Sequence, residues 1–225
     1  MAVLMLCSCN EMENAPTNKF TDNSYWTSTT KAQYVVNMAY SQMYNAGRMW
    51  SDESLSDNAY DGRSVDDQRA IRKGMGTPSL ELFKNEWKDL YGGIKTCHVF
   101  LEKVDLVPGM NVAVKARMIA EIRFIRAVNY ARMIRIFGGV ILRDETNGVD
   151  SEGQKDKARA TEAESWDFVL KDLEFAARHL PKEWDSKWDG RLTKGAAYAY
   201  MCRTALFAKR WDVAITAADE IKKTQ

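Results

Sequence analysis

Segments with the periodicity of amphipathic helices follow one another from residue 30 onward, and this succession most strongly limits the fold. Apolar residues recur every three to four positions, which is the spacing of one face of a helix. Sustained alternation of apolar and polar residues is missing, and hairpin turns between β-branched runs are almost absent. The sequence therefore predicts an all-α protein.

Capping signals and stop signals set the expected bounds of the helices. Thr161 and Glu164 match a capping box, in which a hydroxyl and a carboxylate satisfy the free N–H groups of a helix start. Thr77-Pro78 is typical of an N-cap followed by the first helical position, and Gly47 is typical of a helix end. We predict helices over about Thr30–Ala46, Pro78–Val107, Val114–Phe137, Thr161–Leu180, Thr193–Lys209 and Trp211–Lys223.

The last two predicted helices are joined by a tight turn, and together they approach the length of a tetratricopeptide unit, about 34 residues. Ala197, Ala205 and Ala214 would keep the facing surfaces small, so that the two helices can pack closely. The pattern favours tetratricopeptide-like helix pairs, an α-solenoid with long loops. An ordinary helical hairpin would satisfy the same spacing.

The charge balance argues against a nucleic-acid partner. Lys and Arg number 32 and Asp and Glu 31, which gives a formal net charge of +1 and no overall field to hold a polyanion. We interpret the arginines of the Val114–Phe137 helix as a polar face balanced by carboxylates such as Glu121. These arginines are Arg117, Arg123, Arg126, Arg132 and Arg135.

Sequence patterns of catalysis and cofactor binding are missing. The chain has no phosphate-binding glycine loop, no GxSxG, no HExxH and no Cys-His pair suited to nucleophilic attack. His98 and His179 lack a second ligand at metal-binding spacing, and Cys97 and Cys202 are expected to be buried free thiols. We therefore predict no catalytic residue, no cofactor and no metal site.

The polar stretch from Arg48 to Gly76 is predicted to be a long loop, and loops of this length are often functional. Aromatic rings can stack on the apolar face of a sugar, while Asp, Asn and Arg bind its hydroxyls. The candidate ligand-binding residues are Trp50, Asp57, Asn58, Tyr60, Asp61 and Arg63. A solvated loop without a ligand is the alternative. Four other tryptophans are expected in the core: Trp26, Trp87, Trp166 and Trp211.

The N-terminus suggests a lipid anchor. Residues 1–9 are apolar, and the chain becomes polar abruptly at Asn10. Leu6-Cys7-Ser8-Cys9 resembles a bacterial lipobox, which makes Cys9 the predicted lipid-bearing residue. The stub lacks a basic region and is short for a signal core of about 7–15 residues, so the true start is expected upstream. No run of about 20 apolar residues could span a bilayer.

Two longer motifs remain to be explained. The first, Gly190–Tyr200, is followed by Arg203 and the Arg210–Ala214 turn, and the second combines Glu121–Tyr130 with Phe137–Val140. Both resemble motifs of the SusD/RagB-type outer-membrane lipoproteins of the Bacteroidetes. Further similarity lies in Tyr25-Trp26, in Trp87-x-x-Leu90-Tyr91-x-x-Ile94 and in the lipobox. The chain departs from the family at two positions: Ile141, where proline is common, and His98, where asparagine is frequent.

The resemblance implies a tetratricopeptide-like scaffold that a lipid on Cys9 tethers to the outer membrane, facing the cell exterior. Glu11 and Glu13 are similar to the acidic signal that sends such lipoproteins to the surface. Family members bind nutrients, typically glycans, and act as a lid on a SusC-like TonB-dependent transporter without breaking bonds. Members are longer, so the resemblance divides the chain into a signal remnant, 1–9, and an N-terminal helical domain, 10–225, truncated before a C-terminal ligand-binding part.

Two other functions remain open at this point. A helical-repeat scaffold could bind a protein or peptide partner in its groove and ignore sugars. An all-α glycoside hydrolase of the α/α-toroid type could also combine helices, aromatic residues and carboxylates, because such an enzyme needs two carboxyl groups about 5–10 Å apart across a sugar.

Overall fold

The computed structural model describes residues 25–43, 46–60, 62, 66–143 and 157–224. These residues contain helices, turns and irregular segments and no strand, which confirms the all-α prediction. Short 3₁₀ turns span Val104–Leu106 and Ser186–Trp188. The α-helices are α1 (Thr29–Met43), α2 (Ala46–Glu53), α3 (Asp66–Arg72), α4 (Glu81–Lys103), α5 (Val112–Phe137), α6 (Glu162–His179), α7 (Lys194–Phe207) and α8 (Trp211–Thr224).

The stretch predicted as one long loop contains two short helices. The first predicted helix ends at Met43 instead of Ala46, and Gly47 lies inside α2 instead of ending a helix. The prediction was wrong because α2 has only 8 residues and α3 only 7. Helices this short are marginal by themselves and depend on contacts with the rest of the fold, so they leave little periodic signal.

The start of α4 also differs from the prediction. Thr77 does not cap this helix, which begins at Glu81; the Thr77 hydroxyl instead lies 2.9 Å from the Ser79 hydroxyl. The Leu82 N–H in the first turn of α4 donates to the Asp67 carboxylate of α3 at 2.6 Å. A cap that comes from another helix leaves no local sequence signal.

The predicted capping box is confirmed, and the predicted start of α7 at Thr193 is also capped by a nearby residue. The Thr161 hydroxyl accepts from the Glu164 N–H at 3.2 Å, and the Glu164 carboxylate accepts from the Thr161 N–H at 2.9 Å, so the capping box at α6 is confirmed. Thr193 accepts from the N–H of Ala196 at the start of α7. Both contacts join residues three positions apart in the chain, so both can be predicted from a short stretch of sequence.

Helix α5 lies at the centre of the fold and is buried on two sides. One core cluster joins α5 to α4 and α6, with Tyr130 and Leu173 among its buried members. The other joins α5 to α1 and α4, with Val36, Phe100 and Ile122 fully buried. The central position of α5 explains why its apolar residues do not form a single stripe.

The helices α7 and α8 form the close pair that the alanines predict. Ala197, Ala205 and Ala214 are buried, and α7 packs against both α6 and α8. The expectation for Trp211 was wrong, because this first residue of α8 is 58% exposed, whereas Trp26 and Trp166 are buried. Ala205 and Ala214 share a small apolar cluster with Leu170 of α6, whereas Ala197 belongs to the main core cluster.

Candidate functional site

The predicted ligand residues that the structure describes are all open to solvent. Trp50 on α2 is 66% exposed and Tyr60 is 68% exposed. Asp57 and Asn58, between them in the chain, are also exposed. Asp61 and Arg63 lie outside the described residues. Residues 50–60 therefore combine two accessible aromatic rings with a carboxylate and an amide.

Arg72 on α3 supports the ring of Tyr60. Its guanidinium carbon lies 4.5 Å from the centre of the ring. A guanidinium at this distance attracts the electron-rich face of an aromatic ring. Because Tyr60 is still largely exposed, the contact orients the ring without covering it.

Serine side chains order the backbone that follows α2. The Ser54 hydroxyl donates to the carbonyl of Ser51 at 2.8 Å, and the Ser56 hydroxyl donates to that of Glu53 at 2.8 Å. The Asn58 N–H donates to the Ser56 hydroxyl at 3.1 Å. These bonds satisfy carbonyls that a helix end leaves free, and they give the segment a defined path.

An arginine with two carboxylate partners anchors α2 to the core. Arg132 of α5 donates to both Asp52 oxygens, at 2.6 and 2.8 Å. It also donates to both Glu86 oxygens, on α4, at 2.8 and 3.0 Å. Burial alone would lower the pKa of Arg132, but the hydrogen bonds to Asp52 and Glu86 outweigh it and raise the pKa above its usual value. We call Asp52, Arg132 and Glu86 the arginine hub.

Two small clefts border the arginine hub. The first, about 290 Å³, is lined by residues that include Asp52, Phe83 and Arg132. The second, about 360 Å³, has a more polar lining that includes Asp67 and Asn85. The four described candidates, Trp50, Asp57, Asn58 and Tyr60, line neither cleft, so they form an open surface and not the wall of a pocket.

The sequence analysis did not single out the residues of the arginine hub as partners. Asp52 and Arg132 are 80 positions apart in the chain, and Glu86 and Arg132 are 46 apart. Asp52 belongs to the polar stretch that was predicted to be a long loop, and Arg132 belongs to the arginine series that was interpreted as a polar face. The three side chains meet only in the folded chain, where Glu86 of α4 and Asp52 of α2 both reach Arg132 of α5.

Two general searches of the described part of the chain gave negative results. No group of three or more His, Cys, Asp or Glu side chains is arranged to hold a metal ion there. No helix there is both long enough and apolar enough to cross a bilayer.

Comparison with protein families matches residues 8–206 to a SusD-like family model described as "Starch-binding associating with outer membrane". The chain belongs to the SusD-like family. A SusD-like protein of Bacteroides ovatus is 25% identical over 215 residues, covering 92% of this chain and 37% of the relative.

Solved SusD-like structures share the fold. A SusD-like protein from Bacteroides fragilis is 29% identical, with a TM-score of 0.78, over 94% of this chain and 41% of the other. A SusD-like carbohydrate binding protein from the same species is 27% identical, with a TM-score of 0.77, over 89% and 41%. The chain thus spans about two fifths of the length of these relatives.

One SusD-like motif holds the segment after α5 in place. The hydroxyl of Tyr130 accepts from the Arg143 N–H at 2.9 Å, and that of Tyr91 accepts from the Ile141 N–H at 2.9 Å. A Cβ added at Gly139 would lie 2.1 Å from the carbonyl oxygen of Ala160, so only glycine permits this close approach. Tyr130, Tyr91 and Gly139 therefore have a structural role.

Charged residues of both SusD-like motifs form ion pairs whose carboxylates are buried. Arg191 donates to Glu121 at 2.7 Å, and Glu121 also accepts from the Tyr40 hydroxyl at 2.8 Å. Arg126 makes two bonds to Asp172, at 2.7 and 2.8 Å, and both residues are buried. The α5 arginines were interpreted as a polar face balanced by carboxylates. Arg126 does have a carboxylate partner, Asp172 of α6, but the pair lies inside the core and not on a polar face.

Proposed function

We propose that this SusD-like chain is part of a cell-surface lipoprotein that binds a glycan and delivers it to a SusC-like TonB-dependent transporter. The six predicted ligand residues, which lie between positions 50 and 63, would contact the sugar. Binding would rest on ring stacking and on hydrogen bonds to hydroxyls, and no bond of the glycan would be broken. The proposal extends the described role of the family to this chain.

The exposure of Trp50 is the observation that carries this proposal. Leaving an indole ring two-thirds in water forgoes its large gain from burial, whereas Trp26 and Trp166 are buried in the core. Tyr60, held by Arg72, supplies a second open ring nearby in sequence. Asp57 and Asn58 supply an acceptor and an amide between the two rings, which suits a chain of hydroxyl groups.

Binding to a glycan array tests the proposal directly. Starch-derived α-glucans come first, because the description of the matching family names starch. We expect wild-type protein to bind at least one glycan, and we expect Trp50→Ala or Tyr60→Ala to weaken that binding about tenfold through the loss of ring stacking. Failure of the wild type to bind any glycan on the array would contradict the proposal.

Two exposed aromatic residues elsewhere provide matched controls. Trp211 is 58% exposed on α8, and Tyr34 is 59% exposed on α1. We expect Trp211→Ala and Tyr34→Ala to bind glycans as the wild type does. If these variants weakened binding as much as Trp50→Ala and Tyr60→Ala, residues 50–60 would not be the site. Release of reducing ends from a bound glycan would support the hydrolase alternative instead.

Attachment to the outer membrane would depend on Cys9, which lies outside the described residues. The family match begins at residue 8 and so includes this cysteine. We expect Cys9→Ser expressed in a Bacteroides host to lose its lipid, measured by mass spectrometry, and to leave the membrane fraction. Cys7→Ser is the matched control and should remain attached. Co-purification of the anchored protein with a TonB-dependent transporter would support the delivery step.

A groove lined by residues of α6, α7 and α8 favours the peptide-binding alternative as a second candidate. It has a volume of about 500 Å³, and Leu170, Met201 and Val213 contribute apolar surface to it. A peptide bound there should be lost on Val213→Glu, while glycan binding at residues 50–60 should persist. Peptide binding combined with no glycan binding would favour this candidate over the first.

A further inference from the structure

The segment that carries the exposed aromatic rings is held differently from the rest of the chain. Helices α1, α4, α5 and α6 pack along their lengths, and α7 packs between α6 and α8. Helices α2 and α3 are too short for such packing. Their position therefore depends on individual side-chain contacts.

The arginine hub is the contact that holds α2. Both edges of the Arg132 guanidinium are used, one on Asp52 of α2 and the other on Glu86 of α4. Two-bond contacts of this kind fix orientation as well as distance, because the planar guanidinium matches the planar carboxylate. The Arg132 side chain is 17% exposed and that of Glu86 14%, so water competes only partly for these bonds.

A second carboxylate holds the other end of the same segment. Asp67 of α3 accepts from the Leu82 N–H in the first turn of α4. Glu86, the α4 member of the hub, lies one turn further along that helix. We call residues 50–67 the aromatic segment. Asp52 and Asp67 therefore connect both ends of this segment to the same end of α4.

The helical geometry of α2 links the hub to Trp50. Residues two positions apart on an α-helix point about 200° apart around its axis. Because Asp52 points inward to Arg132, Trp50 must point outward, and its 66% exposure agrees with this. A change in the contact of Asp52 would therefore change the direction in which Trp50 points.

We propose that Asp52 is a positioning residue that, through Arg132 and Glu86, docks α2 on the core and so fixes the ring of Trp50 for ligand contact. The ligand part of this inference rests on the proposed function. The docking part does not, because it concerns only contacts within the chain. Asp52 itself would not need to touch the glycan.

Hydrogen–deuterium exchange of the full chain without ligand tests the docking part. We compare Asp52→Ala with Glu53→Ala, a matched control on the same helix that removes an exposed carboxylate. Alanine is the best helix former, so neither change weakens α2 through propensity. We expect exchange in residues 49–58 to rise about tenfold in Asp52→Ala, because α2 opens more often, and to stay at the wild-type rate in Glu53→Ala.

The exchange of α5 and α6 separates local from global effects. Unchanged rates in these core helices, together with the rise in residues 49–58, would support docking by Asp52. Wild-type rates in residues 49–58 of Asp52→Ala would overturn it. A uniform rise over all helices would also overturn it, since the role of Asp52 would then be general stability.

Starch binding by the same variants tests the positioning of Trp50. We expect Asp52→Ala to bind about as weakly as Trp50→Ala, and Glu53→Ala to bind as the wild type does. Undiminished binding by an Asp52→Ala protein whose α2 exchange has risen would overturn the positioning role. If the wild type binds no glycan at all, the proposed function fails, whereas the exchange experiment still decides whether Asp52 docks α2.

Discussion

Two arginines on the same helix form two-bond contacts with carboxylates, but in surroundings that differ greatly. Arg126 and Asp172 are both almost wholly buried, with side chains 2% and 4% exposed. Arg132 contacts two carboxylates nearer the surface, and Asp52 is 36% exposed. The same chemistry therefore serves two purposes: the buried pair fixes how α5 packs on α6, and the arginine hub fixes how a surface segment is displayed.

The free-energy cost of burying a charge explains why the two arginines serve different purposes. Two charges taken out of water gain little net stability when paired, but removal of one partner leaves a charge that is buried and uncompensated. A half-exposed charge that loses its partner can be solvated again, so its loss costs less. Changes at Arg126 should thus threaten the fold, whereas changes at the hub should alter one segment.

The largest expected effect follows from Asp172→Ala. Loss of this carboxylate leaves the Arg126 guanidinium buried without its two-bond partner and should lower the free energy of unfolding by about 3–5 kcal/mol. Urea unfolding measures this change. The matched control is Asp167→Ala on the same helix, which removes an exposed partner of Arg210 and should cost no more than about 1 kcal/mol. Equal losses in the two variants would break the comparison between buried and exposed pairs.

A smaller loss of stability is expected for a substitution at Gly139, where two backbone segments lie in close contact beside the core. Gly139→Ala would place a Cβ 2.1 Å from the Ala160 carbonyl oxygen, so one chain segment must move. We expect a loss of about 1–3 kcal/mol in the free energy of unfolding, as for other overpacked sites. Gly62→Ala, in the aromatic segment, has nothing within 4 Å and should change stability by no more than about 0.5 kcal/mol.

The outcome at Gly62 matters as much as that at Gly139. If both substitutions cost the same, the aromatic segment would be as tightly packed as the core. A large difference, measured by thermal or urea unfolding of both variants, would sharpen the contrast between the two regions.

The sequence predictions succeeded for partners that lie close together in the chain and failed for partners that lie far apart. Thr161 was identified as a cap and Thr193 as the start of a helix, because the residues that mark these positions lie within one turn of helix. The alanines of α7 and α8 were identified as a seam because periodicity sets which residues share a face. The bounds of α5, α6, α7 and α8 could therefore be predicted to within about two residues from short-range patterns alone.

Predictions failed where partners are distant in the chain. Asp67 caps α4 from 15 positions away, so Thr77 was chosen instead. Arg126 and Arg132 look alike in sequence, and only the folded chain assigns one to Asp172 and the other to Asp52 and Glu86. The exposure of Trp50 and Tyr60 agrees with a binding role, but that role stays a prediction, because a solvated loop would expose the same rings.

Alkaline pH should weaken the core before it weakens the hub. Burial raises the pKa of Tyr91 to about 12, although the backbone of Ile141 and nearby arginines lower it. Burial also raises the pKa of Tyr130. The unfolded chain loses these protons first, from about pH 10, so stability is intact below that pH and falls as pH rises through the folded pKa. Arg132, whose pKa is raised, keeps its charge over this range.

Urea unfolding at pH 9 and pH 11 measures this decline. Tyr91→Phe removes one of the titrating hydroxyls, and it also removes a hydrogen bond at both pH values. The useful quantity is therefore the difference in the free energy of unfolding between pH 9 and pH 11. We expect this difference to be smaller in Tyr91→Phe than in the wild type. Tyr34→Phe, which changes an exposed ring on α1, should retain the full decline. An unchanged decline in Tyr91→Phe would show that other groups control alkaline unfolding.

Salt should produce the smallest effect, and it acts on the hub. At 1 M salt the screening length is about 3 Å, so partly exposed charges attract each other less, whereas buried pairs are hardly screened. We expect exchange in residues 49–58 to rise about two- to fivefold between low salt and 1 M KCl, as for a loss of up to about 1 kcal/mol, with no change around Arg126. Asp52→Ala should abolish this salt dependence, because the screened contact is already gone. A salt response of equal size in that variant would mean that apolar or backbone contacts, and not the arginine hub, hold α2.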